Sequence, residues 1–148
     1  MKSTILSTLF SVLLCTQAWS HAGHDAPSSM QAPHLGEVKC TEHHCFELVV
    51  KGDHYTIYVY DHNLQPILLT NSSGAMRPSP VQIKAALQLP NAKRQTPLAL
   101  AIDAKSALKF EGQIKAPNTH RYFVNLEVVE TSDDKKTSKH TLKFQIEV

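Results

Sequence analysis

From Cys45 onward the chain contains short runs in which apolar and polar residues alternate, and turn-forming residues close each run. The first two runs, 45–50 and 54–60, are separated by Lys51-Gly52-Asp53, a spacing that predicts a β-hairpin. Large side chains occupy both faces of the second run, so we expect one of its faces to lie under another sheet.

Further runs of the same kind predict additional strands along the rest of the chain. They are residues 66–69, 81–89, 98–102, 107–114, 120–128 and 141–148, of which the last two alternate most clearly. Seven or eight short strands without a convincing helix predict an all-β fold, a small antiparallel immunoglobulin-like β-sandwich. A closed barrel is the alternative.

The first twenty residues have a different pattern. Lys2 precedes the apolar run 5–15, which is too short to cross a bilayer, and Ala18-Trp19-Ser20 supplies the small residues that a leader peptidase requires. We therefore expect residues 1–20 to be a signal peptide whose cleavage makes His21 the first residue of a secreted, periplasmic protein. The alternative is a lipoprotein.

Lipid attachment at Cys15 is disfavoured because Leu14 stands where such a signal needs a small residue. After the leader, residues 21–35 are rich in His, Ala, Ser and Pro without an apolar period, and this composition predicts a flexible arm. The folded domain is then expected to be residues 36–148, one domain with a modest core.

The charge balance limits the classes of partner. Without Lys2 the chain has 14 basic against 13 acidic residues, so no strongly basic surface is expected to attract nucleic acid. No apolar run after residue 20 is long enough for a membrane span. The chain also lacks recognisable phosphate-loop, nucleophile-elbow and zinc-protease motifs, so we expect a protein that is not an enzyme.

Two cysteines remain after leader removal, within the segment Cys40-Thr-Glu-His-His-Cys45. In an oxidising compartment the favoured interpretation is a Cys40–Cys45 disulfide that closes a short hairpin, with His43 and His44 exposed at its tip. The alternative is that the thiols and imidazoles bind a soft or borderline metal ion.

Histidine is unusually concentrated, since seven of the nine histidines lie between residues 21 and 62. At the expected new N-terminus, His21 offers both its α-amine and its imidazole, and His24 follows three residues later. These nitrogen donors suit copper, nickel or zinc. The alternative is a solvated arm whose histidines have no role.

A second group of histidines is expected in the folded domain. The strand 54–60 carries His54 at its start, whereas His62 follows its end and should lie on the same side as the Cys40–Cys45 turn. A site made of His43, His44 and His62, joined by His34 from the arm, is the predicted metal site of the domain. This list completes the candidate ligands: His21, His24, His34, His43, His44 and His62.

Short motifs also carry a family resemblance. His34-Leu35-Gly36-Glu37, Phe46-Glu47-Leu48-Val49-Val50 and Tyr58-Val59-Tyr60-Asp61-His62 with Pro66 resemble the small periplasmic β-domain of heavy-metal efflux adaptor (membrane-fusion) proteins and of stand-alone secreted relatives. The resemblance covers residues 34–69. It implies a periplasmic metal-handling role, an efflux adaptor protein as a partner, and His34 and His62 as functional residues.

Together these features predict a periplasmic protein that binds copper or zinc and buffers or delivers the ion in heavy-metal homeostasis or efflux. The alternative is a non-catalytic secreted interaction or assembly module that acts through a sheet edge and has no metal role. The crowding of histidines near the N-terminus favours the first hypothesis, because the second leaves it unexplained.

Overall fold

The computed structural model describes residues 31–70, 73–103, 107–115, 117–132 and 134–148. The predicted signal peptide and most of the predicted arm lie outside these residues. Within them every regular element is a strand, and no helix is long and apolar enough to cross a membrane. The strands are β1 (Glu37–Cys40), β2 (Cys45–Lys51), β3 (His54–Tyr60), β4 (Val81–Gln88), β5 (Gln95–Leu98), β6 (Ala101–Asp103), β7 (Lys109–Gln113), β8 (Arg121–Thr131) and β9 (Thr137–Glu147).

These strands form two antiparallel sheets, which confirms the predicted all-β sandwich. The first sheet has the order β1-β2-β3-β7-β6 and the second β5-β4-β8-β9. The predicted hairpin is β2-β3, in which Lys51 pairs with His54 across a two-residue turn. Gly52 adopts a positive φ of 61° in that turn, a backbone conformation that glycine tolerates without the strain a Cβ would cause.

The inward-facing rows of both sheets make the main core. Strand β8 shows the pattern most clearly, because its alternate residues from Tyr122 to Val128 are fully buried and successive side chains of a strand point to opposite faces. This core includes Phe46, Leu48, Tyr55, Ile57 and Val59 of the first sheet and Tyr122, Val124, Leu126, Val128 and Phe144 of the second.

Two strand predictions are wrong. Residues 66–69 form no strand: Pro66 makes a single bridge to Tyr60, and a proline has no N–H to continue a ladder. The predicted strand 98–102 is in fact two strands in different sheets, because β5 ends at Leu98 and β6 begins at Ala101. The two residues between them carry the chain from the second sheet to the first.

Part of the outer face of the first sheet, near the end of β3, is buried. Cys45 and Tyr60, which point away from the main core, are buried there with Leu64 in a second apolar cluster. This cluster explains the large side chains on both faces of β3. The inner face of β3 packs on the second sheet, as expected, and its outer face lies partly beneath the turn that follows Tyr60.

Strand β9 lies at one edge of the second sheet and is 11 residues long. Phe144 points from it into the core, whereas Lys139 and Lys143 are exposed. The backbone N–H of Gln145 donates a hydrogen bond of 3.1 Å to the Glu37 carboxylate of β1. This contact joins the two sheets at one side of the sandwich.

Candidate metal centre

The tip of the β1-β2 hairpin is a tight, well-bonded turn. Cys40 and Cys45 are directly paired across the hairpin and form a disulfide, which confirms the favoured interpretation of the two cysteines. The N–H of Thr41 donates to the carbonyl oxygen of His44 at 2.8 Å, and the Thr41 hydroxyl donates to the same oxygen at 3.0 Å. The sulfur atoms are therefore held by a hairpin with its own hydrogen bonds.

A second turn brings His62 to the disulfide. Because Cys45 of β2 pairs with Tyr60 of β3, the residues that follow β3 return past the hairpin tip. The carboxylate of Asp61 shapes this turn by accepting hydrogen bonds of 2.8 Å from the N–H groups of Asn63 and Gln65. His62, exposed on this turn, consequently faces the sulfur atoms, as its predicted position required.

The orientation of the His62 ring is defined by two contacts. Nε2 lies 2.8 Å from the carbonyl oxygen of Glu42, and a carbonyl only accepts, so Nε2 carries the proton. Nδ1 then presents its lone pair, and it lies 3.9 Å from the sulfur of Cys45. A metal-binding histidine typically has this arrangement, in which a backbone oxygen fixes the tautomer and the other nitrogen faces the metal.

The three potential ligand atoms lie close together. The sulfurs of Cys40 and Cys45 and a ring nitrogen of His62 are within 4.8 Å of one another, the only such group of three in the described part of the chain. Two sulfurs and an imidazole are donors for copper(I) or zinc. In the disulfide form the sulfurs are bonded to each other and are not thiolates, so only the imidazole offers a strong donor.

His44 contacts the second sheet and not the disulfide. Its Nδ1 donates to the carboxylate of Glu130 at 2.8 Å, and the hydroxyl of Thr41 donates to the same oxygen at 2.7 Å. The other oxygen of Glu130 lies 3.3 Å from Nε2 of His140 and has no hydrogen-bond partner. The structure thus ties His44 to the second sheet and does not bring it together with His62. The prediction that His44 is exposed at the hairpin tip is therefore wrong, since its side chain is 13% exposed.

Glu130 is 1% exposed, at the inner end of β8. Burial alone raises the pKa of its carboxyl group, but the hydrogen bonds from His44 and Thr41 and the neighbouring His140 outweigh burial, and the pKa lies below its ordinary value. This carboxylate therefore stays ionised and connects the hairpin tip to β8 and β9.

A second buried carboxylate, Glu47, anchors His34. One oxygen of Glu47 accepts the backbone N–H groups of His34 and Gly36 at 2.9 and 2.8 Å. The other accepts the Tyr60 hydroxyl at 2.8 Å and lies 3.1 Å from Nδ1 of His34. The His34 ring also stacks on Tyr58 at a centroid distance of 3.7 Å. His34, assigned to the arm, thus contacts the sheet.

Burial also raises the pKa of the Glu47 carboxyl group, yet the four hydrogen bonds together lower it below its ordinary value. Burial and the neighbouring Glu47 carboxylate in turn raise the pKa of Tyr60. Glu47 is consequently an anion and Tyr60 a neutral donor at neutral pH.

The remaining predicted ligands are distributed as follows. His43 is exposed at the hairpin tip, where its N–H lies 3.4 Å from the Thr41 hydroxyl. His21 and His24 lie outside the described residues. Of the predicted site of His43, His44 and His62, only His62 joins the group that could hold an ion.

Sequence reasoning missed the two buried carboxylates and His140. A signal for Glu130 was present, because the alternation Tyr122 to Val128 continues inward to residue 130. Glu47 alternates with core residues of β2 and offered no comparable signal, since an outward-facing glutamate is normally exposed.

Comparison of the chain with protein-family models, with curated proteins and with solved structures finds no match.

Proposed function

We propose that this protein binds a copper or zinc ion outside the cytoplasm and buffers it, or delivers it to an efflux system, as a binding protein and not as an enzyme. The observation that carries the proposal is the orientation of His62. Its Nδ1 lies 3.9 Å from Cys45 Sγ, and its Nε2–H donates to a backbone carbonyl. Metal-binding histidines typically donate the other ring N–H to a backbone carbonyl in this way.

The donor chemistry supports the same class of ion. Imidazole nitrogen suits zinc and copper, and sulfur favours copper(I) or zinc over magnesium or calcium. The predicted arm adds His21 and His24, whose nitrogens belong to the same class of donor. The charge of the chain is almost balanced and indicates no other class of ligand, whereas binding of a metal ion accounts for these histidines together.

His34 supports a role for the segment that resembles an efflux adaptor domain. Its Nδ1 lies near the Glu47 carboxylate at 3.1 Å and near the Tyr60 hydroxyl at 2.8 Å. The carboxylate orients the ring, as carboxylates bonded to metal-binding histidines do. We therefore propose that the surface around His34 and His62 is where an ion passes to an efflux adaptor protein.

The test is titration of the purified protein, residues 21–148, with copper(I), copper(II) and zinc, followed by calorimetry and native mass spectrometry. We expect saturable binding at a defined ratio, and weaker binding in His62→Ala. His54→Ala is the matched control, because His54 is exposed at the opposite end of β3, where its ring lies 3.4 Å from the exposed carboxylate of Asp53. Absence of saturable binding for all three ions would refute the proposal and favour an interaction module.

A further inference from the structure

The hairpin that carries Cys40 and Cys45 has stabilising contacts besides their disulfide. Strand β1 pairs with β2 from Glu37↔Leu48 to Cys40↔Cys45, and the turn is closed by the hydrogen bond from Thr41 to His44. Thr41 is tied to buried Glu130 as well. Cleavage of the disulfide would therefore leave both sulfurs at the hairpin tip, one on each strand.

The position of His62 fits a metal bound by these sulfurs. Bonds of about 2.3 Å to sulfur and about 2.1 Å to nitrogen, separated by a trigonal angle, place the two ligand atoms about 3.8 Å apart. The observed distance between His62 Nδ1 and Cys45 Sγ is 3.9 Å. The imidazole thus already lies at the distance from Cys45 Sγ that a shared metal ion requires, and cleavage of the bond between the sulfurs would place two thiolates beside it.

We propose that the Cys40–Cys45 disulfide is a reducible gate, and that the thiolates released by a dithiol reductant bind one copper(I) ion together with His62 Nδ1. The inference rests on the proposed metal-binding function and adds its regulation and its preferred ion. In the disulfide form the site offers copper(I) only the imidazole of His62, and in the dithiol form it offers two thiolates as well.

The exposure of the two cysteines indicates the course of the reduction. Cys45 is 1% exposed, whereas Cys40 is partly exposed, so the thiolate of the reductant attacks Cys40 Sγ. The disulfide bond breaks, and Cys45 Sγ leaves with the electron pair. The second thiolate of the reductant then attacks the mixed disulfide, releases Cys40 Sγ as a thiolate, and leaves the reductant as a disulfide.

Two electrons thus pass from the dithiol to the cysteine pair. Both cysteine thiolates are then available to copper(I), and any proton they have taken up is released to solvent when the ion binds. Copper(I) is favoured over zinc for two reasons. Thiolate is a soft donor that selects copper(I), and the described residues offer three ligands, whereas structural zinc sites use four.

The experiment compares copper(I) affinity in the two redox forms by competition with a chromophoric copper(I) chelator under anaerobic conditions. The protein, residues 21–148, carries His21→Ala and His24→Ala so that the predicted arm does not mask the site. We expect the dithiol form to bind one copper(I) at least about tenfold more tightly than the disulfide form, with ultraviolet thiolate-to-copper absorbance. Far-ultraviolet circular dichroism checks that both forms are folded.

Variants test the contributions of the two cysteines and of His62 to copper(I) binding separately. The double variant Cys40→Ser with Cys45→Ser should bind like the disulfide form under reducing conditions, and His62→Ala should weaken the dithiol form. His54→Ala should leave it unchanged. Equal affinity of the two redox forms, or full affinity in the serine variant, would overturn the gate while leaving metal binding intact. No binding in either form, with the arm histidines restored, would instead overturn the proposed function.

Discussion

Replacing Glu47 with glutamine tests whether this buried carboxylate holds the segment before β1 onto the sheet. Glutamine keeps the shape of the side chain and one carbonyl oxygen, which still accepts the backbone N–H groups of His34 and Gly36. The other oxygen becomes an NH2 group that faces two donors, the Tyr60 hydroxyl and His34 Nδ1. Two charge-assisted hydrogen bonds are lost.

Each hydrogen bond to a charged group contributes about 1.5–3 kcal/mol, and rotation of the Tyr60 hydroxyl lets its oxygen accept from the new NH2 group. We therefore expect Glu47→Gln to lower the free energy of unfolding by about 2–4 kcal/mol. Urea denaturation followed by circular dichroism measures the loss as a lower midpoint at an unchanged m value. A loss below about 0.5 kcal/mol, the size of an ordinary surface effect, would refute the reasoning.

The matched control is Glu127→Gln, the same substitution on the exposed side of β8. Glu127 pairs with Lys139 at 3.2 Å, and both side chains are at least half exposed. Such a surface pair contributes at most about 1 kcal/mol. A double-mutant cycle with Tyr60→Phe adds a second control, because residues that share a hydrogen bond should show a combined loss smaller than the sum of the two separate losses.

Three further predictions follow from the structure. The folded-state pKa of Glu47 lies below its ordinary value. The stability that the ionised carboxylate adds is therefore complete above about pH 4.3 and is lost as pH falls through the folded-state pKa. The difference in unfolding free energy between wild type and Glu47→Gln should become smaller over the same pH range. Replacing Cys40 and Cys45 by alanine should cost about 2 kcal/mol, since the closed loop is small, and should leave the circular dichroism spectrum unchanged. Gly112→Ala should cost about 1–3 kcal/mol in urea denaturation, because a Cβ there would collide with the carbonyl oxygen of Ala99.

For each of these three predictions, one result would contradict it. A difference between wild type and Glu47→Gln that stays constant down to pH 3 would mean that Glu47 is not the titrating group. Loss of the β spectrum in the alanine pair would mean that the hairpin needs its disulfide. Gly52→Ala is the control for Gly112, because Gly52 has open space around it but a positive φ; a smaller loss at Gly112 than at Gly52 would argue against the predicted collision.

The local pattern of the chain was enough to predict the hairpin at the centre of the first sheet. Strand β3 runs from His54 to Tyr60 as expected, because β-branched and aromatic residues fill it and turn-forming residues flank both of its ends. Between Leu98 and Ala101 the chain changes sheets. Nothing local marks this, because an apolar residue on either sheet meets the same core.

The candidate site likewise has one part that the sequence predicts and one part that it does not. His62 and the disulfide could be placed together because one hairpin and the turn after it determine their positions. His44 could not, because its partner Glu130 lies 86 residues away and reaches it only when the second sheet packs on the first. Long-range contacts of this kind depend on the assembled sandwich, and a single sequence gives no register between the two sheets.

The exposed lysines of β9 bear on how copies of this protein behave toward one another. An 11-residue edge strand offers a row of backbone groups that could template the addition of another chain. Lysines on an edge strand oppose such addition, because like charges on two copies repel each other; Lys143 is such a residue, whereas Glu127 compensates the charge of Lys139 at 3.2 Å. Salt screens this repulsion, with a Debye length of about 3 Å at 1 M. The electrostatic barrier to fibre-like association is thus lower in concentrated salt than in dilute buffer.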